Sequence, residues 1–168
     1  KLCCTFITLF KSNNYKIEEI ENLRQKYLSE EKNEFLCERT NLFLDIIKIL
    51  LAEYRKYLSK NNAIDFSDMI NDAATLVSND CDILPYKYVI VDEYQDISKS
   101  RFNFLKAIVD RTGAKFFCVG DDWQSIYRFA GSDISFFTDF EKSFGYTKIL
   151  RIEKTYRNSQ QLIDVAST

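Results

Sequence analysis

Three short segments carry side chains whose types and spacing could do chemistry. The first is Asp92-Glu93-Tyr94-Gln95-Asp96, three acids and a glutamine that abruptly end an apolar run beginning at Tyr88. The second is Gly120-Asp121-Asp122-Trp123-Gln124, which ends another apolar run, Lys115 to Val119, in the same way. The third is Thr155-Tyr156-Arg157-Asn158. Mg²⁺ keeps several waters and takes one or two carboxylates plus phosphate oxygens, so an acid at a strand end can hold it opposite a phosphate. Asp92 suits that role. Glu93, next along the chain, suits a base that orients or deprotonates an attacking water. The Gln124 amide can donate to a phosphate oxygen or a water, and Arg157 is a planar cation able to neutralise a transferring phosphoryl group. Trp123, Tyr127 and Phe129 cluster around Arg128, a mixture that forms stacking platforms for unpaired bases. Tyr156 could stack on a base as well. Each segment alone has an ordinary explanation in a solvated acidic loop or an aromatic core, and burial is the expectation for Trp123.

These segments need elements to position them. A short continuous apolar run reads as a strand buried on both faces of a parallel sheet, with ligands gathering beyond the carboxyl ends of its strands. Tyr88–Val91 and residues 115–119 are such runs, and Thr147 to Ile152 reads as a third strand. Between them, a helix over about residues 98–111 stops at Gly113, helical segments run to Gly145, and Asn158 opens a last helix. Strand, helix, strand in alternation predicts an α/β parallel sheet.

Upstream the pattern is helical. Residues 1–12 fit a helical face better than alternation. Ile17, Ile20, Leu23, Tyr27 and Leu28 recur at helical spacing, as do Phe35, Phe43, Ile46, Ile47, Leu50, Tyr54, Tyr57 and Leu58. Asp65 is placed to cap a helix bearing Phe66, Met69, Ile70 and Ala73, and Pro85 punctuates the entry to the first strand.

Composition removes whole classes of chemistry. The chain of 168 residues has no histidine, which excludes serine-histidine and cysteine-histidine hydrolysis and the usual zinc sites. Its five cysteines have no CxxC spacing, which favours reduced thiols and a cytoplasmic setting. A formal charge of −2, evenly spread, means that any nucleic-acid site must be a local patch.

In order, DEYQD, VGDDWQSIYRFAGSD and TYRNS resemble motifs II, III and IV of the UvrD/Rep-type superfamily 1 DNA helicases. Residues 62–70, NAIDFSDMI, resemble the helix that precedes motif II in that family, and the tryptophan and FAGSD point to its helicase IV branch. The motif-bearing resemblance covers about residues 61–168, with the residues before it matching by position only. It implies an ATP-driven 3′-to-5′ translocase on single-stranded or partial-duplex DNA. Asp92 would bind Mg²⁺, Glu93 would activate water, Gln124 would sense the γ-phosphate, Arg157 would be an arginine finger and Tyr156 would stack on adenine. Tyr127, Arg128 and Phe129 would meet DNA. Phe129 stands where many relatives have tryptophan, and Ala130 where many have arginine.

The implied fold is part of a RecA-like P-loop NTPase sheet with an N-terminal helical subdomain. Residues 1–60 correspond to subdomain 1B, 61–154 to the second half of 1A, and 155–168 to the start of 2A. No GxxxxGK[ST] phosphate loop occurs in the sequence, so the chain is expected to be an internal slice, inactive alone and prone to self-association through an exposed sheet edge. Two other readings are a degenerate helicase-like module that only binds DNA or protein, and the motor of a helicase-nuclease.

Overall fold

The computed structural model describes residues 1–79, 85–154 and 156–166. Helices dominate, and two strands form a small parallel sheet. Two compact units are present, Lys1–Thr138 and Asp139–Thr168.

In the first unit, α1 (Leu2–Ser12), α2 (Ile20–Glu30) and α3 (Glu34–Lys60) enclose one apolar cluster. Its buried members are Phe10, Ile20, Leu44, Ile47 and Leu51, with Phe6, Leu23 and Phe43 packed against them. The helices form where the spacing predicts, but the covered stripe of α3 differs from the predicted one. Phe35, Ile46, Leu50 and Tyr57 are exposed, and Leu44, Ile47 and Leu51 face the core. The sequence of α3 carries two apolar stripes, and α1 and α2 cover only one of them.

Helix α4 (Phe66–Ser78) begins as predicted, with the Asp65 carboxylate accepting the backbone N–H of Asp68 at 2.9 Å. The same carboxylate accepts the Tyr54 hydroxyl at 3.0 Å and pairs with the Lys11 ammonium, which also reaches Asp68 at 2.6 Å. Burial disfavours the Lys11 charge, but its bonds to Asp65 and Asp68 outweigh that and hold its pKa above the ordinary value. Burial likewise opposes ionisation of Asp65, and Lys11 with the Asp68 N–H outweighs it, leaving the carboxyl below the ordinary value. The end of α1 is thereby pinned to α4. It is pinned to α5 (Lys99–Thr112) too, since the Ser100 hydroxyl donates to the Ser12 carbonyl at 2.8 Å.

Strands β1 (Tyr88–Val91) and β2 (Lys115–Cys118) pair in parallel, from Tyr88 opposite Lys115 to Val91 opposite Cys118. Helix α5 joins them, ending at Gly113 in the left-handed conformation at φ 65°, where a glycine carries no Cβ penalty. Contrary to the expectation of burial on both faces, exposure alternates. Tyr88 and Ile90 on β1 and Phe117 on β2 are exposed, whereas Val89, Val91, Phe116 and Cys118 are half-buried. A strand presents side chains to alternate faces, and only one face is covered here. On that side the fully buried Tyr94 packs edge-on to Phe116, ring centroids 5.7 Å apart, and Phe102 stacks on Phe136 at 4.2 Å. Phe136 lies on the short helix α6 (Ser135–Thr138).

The second unit holds α7 (Phe140–Phe144) and α8 (Gln160–Ala166). The strand predicted over Thr147 to Ile152 does not form, and Ile149, Leu150 and Ile152 stay exposed. A strand needs a neighbour for its backbone groups, and none pairs with this stretch among the described residues. The last helix starts two residues later than predicted, the Ser159 carbonyl accepting the N–H groups of Leu162 and Ile163 at 3.1 and 3.2 Å. Among the described residues no helix is long and apolar enough to cross a membrane. Cys3, Cys4, Cys37 and Cys118 are free thiols; Cys81 and Thr155 lie outside the described residues.

Candidate active site

Parallel pairing sends the chain out of β1 and β2 on the same edge of the sheet, so the two acidic segments leave side by side. The ladder continues past the strands: the Val119 N–H donates to the Val91 carbonyl, and the Tyr94 N–H to the Val119 carbonyl, both at 2.9 Å. Gly120 lets the second loop close over the first. A Cβ there would stand 2.7 Å from the Gln95 side-chain oxygen and 2.9 Å from the Phe137 ring.

Asp92 and Glu93 are both exposed at this edge. The Asp92 carboxylate accepts the Glu93 backbone N–H at 2.9 Å. Glu93 has the left-handed backbone, φ 50° and ψ 42°, which costs a non-glycine residue about 1–2 kcal/mol. A buried glutamine then links the loops. Gln95 Nε2 donates to Glu93 Oε2 at 2.7 Å, and Gln95 Oε1 accepts the Asp121 N–H at 3.1 Å. Asp121 in turn accepts the Gln124 amide at 2.6 Å and the Trp123 N–H at 3.1 Å. Glu93, Gln95, Asp121 and Gln124 thus form one continuous hydrogen-bonded chain. In the sequence Gln95 is marked only as an amide set between two acids.

Burial pushes the Cys118 thiol up to about 11 and the Tyr94 phenol higher still. Both stay neutral at ordinary pH. Among the described residues no three His, Cys, Asp or Glu side chains converge on a point. That donor set fails a metal that needs an all-protein cage and fits Mg²⁺, which takes one or two hard carboxylates plus phosphate and water.

Beyond Gln124 the chain turns through a short 3-10 helix at Tyr127–Ala130. Tyr127 and Phe129 are exposed with centroids 5.9 Å apart at 40°, and Arg128 between them is also exposed. Trp123 is 92% exposed, against the expectation of burial. Its backbone is held in the one-turn helix Asp122–Gln124 by Asp121, and the indole projects from the strand end. The turn ends at Gly131, φ 95°, where a Cβ would come within 2.5 Å of the Ser12 hydroxyl on α1.

Tyr156 and Arg157 belong to the other compact unit. Tyr156 is 87% exposed, with the Lys154 ammonium 5.1 Å from its ring centroid.

A parallel strand pair with carboxylates and an amide at its carboxyl edge, flanked by an exposed aromatic turn, defines an α/β arrangement. Residues 6–145 match the UvrD/REP helicase N-terminal domain. The chain belongs to that family. Over 131 residues, 76% of the chain, it is 37% identical to DNA helicase IV of Escherichia coli (strain K12). It is 30% identical over 142 residues, 82% of the chain, to the ATP-dependent DNA helicase PcrA of Bacillus subtilis (strain 168), and 31% over 136 residues, 77% of the chain, to PcrA of Staphylococcus aureus (strain Mu50 / ATCC 700699). The chain spans 19%, 19% and 18% of the lengths of these relatives, about a fifth. The higher identity to helicase IV accords with the FAGSD and tryptophan signals. The family match begins at residue 6, so it reaches the helical residues in sequence and not by position alone, and it ends at 145, short of Tyr156 and Arg157.

Proposed function

We propose that this chain is a segment of an ATP-dependent, 3′-to-5′ DNA helicase of the cytoplasm, supplying hydrolytic side chains and part of the single-stranded DNA contact. The carrying observation is the joined edge, where adjacent strand ends bring Asp92 and Glu93 beside the loop of Asp121 and Gln124. In this reading the sheet is part of a RecA-like P-loop NTPase fold. Residues 1–60 form a 1B-like subdomain, 61–154 the second half of domain 1A, and 155–168 the start of 2A.

Mg²⁺ bound with ATP would neutralise the β- and γ-phosphate oxygens. Asp92 would hold the cation through its exposed carboxylate. Glu93 would accept the proton of the attacking water as that water's oxygen bonds to the γ-phosphorus and the bond from the γ-phosphorus to the β–γ bridging oxygen breaks, releasing ADP and inorganic phosphate. Gln124 turns its amide to the γ-phosphate, and Arg157 neutralises charge there. Tyr156 stacks on adenine, while Tyr127 and Phe129 stack on unpaired bases and Arg128 meets the backbone.

ATP turnover by the full-length protein, with and without single-stranded DNA, tests this. Glu93→Gln should lower kcat by roughly 10²–10⁴-fold, the usual worth of a positioned base. Undiminished turnover in that variant would sink the assignment. Tailed duplexes of each polarity read the direction. The 168-residue chain itself should neither hydrolyse ATP nor unwind DNA, since the backbone cradle and lysine of a phosphate loop are not in its sequence.

A further inference from the structure

Gln95 does nothing in the mechanism above, yet its side chain is among the most completely buried polar groups described, at 1% exposure. A backbone N–H can only donate, so the Asp121 N–H at 3.1 Å fixes which end of the carboxamide is oxygen. That orientation turns Nε2 toward Glu93, whose Oε2 lies at 2.7 Å. The amide cannot swing away cheaply. Gly120 packs so closely that a Cβ would meet Gln95 Oε1 at 2.7 Å, and the ladder bonds at Val91, Tyr94 and Val119 close the turn around it. On its other side Asp121 holds the Gln124 amide at 2.6 Å, and three residues further on the chain enters the aromatic turn.

We propose that Gln95 is a positioning residue that clamps the Glu93 carboxylate to the Asp121–Gln124 loop, so that the water-activating base and the γ-phosphate-facing amide move as one body. The clamp rests on the reading of Glu93 as the base. It also provides a mechanical route from the aromatic turn to the carboxylate, because displacement of that loop is transmitted through two hydrogen bonds on a single rigid amide. A glutamine that merely filled space would contribute to stability and leave the chemical step alone.

The test uses the full-length protein and steady-state ATP turnover with and without single-stranded DNA. Gln95→Met, similar in volume and unable to make either bond, should lower kcat on the order of 10–100-fold, the cost of a misplaced catalytic group. KM for ATP should stay within about twofold, the signature of an interaction felt only in the transition state. Combined with Glu93→Gln it should cause no further loss, as groups acting as one unit are non-additive. Gln95→Asn keeps the carboxamide but is one methylene too short to span Glu93 and Asp121 together, so it should lose kcat similarly, which covers the case where Gln95→Met does not fold. A kcat within about twofold in a folded Gln95 variant, a rise in KM alone, or losses that multiply with Glu93→Gln would each overturn the clamp. An active Glu93→Gln removes the base and the clamp together, whereas an inactive Glu93→Gln beside an active Gln95→Met removes only the clamp.

Discussion

The helical region and the sheet bury their apolar residues in opposite ways. Helices α1, α2 and α3 close on themselves, with Ile20 and Ile47 fully buried. The sheet closes on one side only: Tyr94 is fully buried, while Ile90 is 71% exposed two residues before Asp92. Both regions are rich in apolar residues. What separates them is that a helix needs only a stripe covered, whereas each face of a sheet needs its own layer. The helical part is a finished scaffold, and the sheet offers one face to whatever covers it.

That contrast can be broken experimentally. Ile47→Ala should cost about 2–5 kcal/mol, the usual result of emptying a fully buried site, while Ile90→Ala should stay within about 0.5 kcal/mol, as exposed substitutions do. Urea denaturation of the two variants reads the difference, and equal losses would erase the distinction.

Lys11→Met should cost about 2 kcal/mol, below the range for breaking a fully buried pair because Asp65 and Asp68 are partly exposed. Its pH dependence has a fixed sign. Lys11 has a raised pKa, so its contribution is complete below the ordinary value of 10.5 and is lost as pH rises through the higher folded value. Asp65 has a lowered pKa, so its contribution is present above the ordinary 3.8 and is lost as pH falls through the lower folded value. Melting temperature against pH should therefore plateau between those limits, and Lys11→Met should remove the Lys11 part of the alkaline decline.

Gly131→Ala should cost about 1–3 kcal/mol, since the positive φ and the approach to Ser12 both oppose a methyl group. Thermal melting measures it. The smallest stability change belongs to Ile90→Lys, within about 0.5 kcal/mol, with the larger effect on association. If the uncovered sheet face drives self-association, light scattering at high concentration should show dimers or larger species that the lysine disperses. A strictly monomeric parent profile would contradict that.

Much of this was legible in the residues. Helical spacing located α1 to α5, Asp65 and Gly113 marked their boundaries, and two apolar runs ending in acids located the sheet edge. Information that depends on distant partners was not. Nothing local says which of two apolar stripes on α3 will be covered, or that the apolar stretch from Thr147 will lack a strand to pair with. Gln95 was invisible for the same reason, because its role depends on Gly120 and Asp121 arriving from the next strand. Trp123 misled because aromatic residues usually signal a core, and here the turn that carries it is tied down by its backbone.

The close seating of Gly131 against Ser12 gives the aromatic turn a one-sided compliance. Van der Waals repulsion rises far more steeply than attraction falls, so a push on the turn toward Ser12 meets a wall almost at once, while a pull away loads the hydrogen bonds at its two ends. Force applied to that turn in one direction is borne by the helical scaffold, and in the other by the hydrogen bonds that tie it to Gln95 and Ile97.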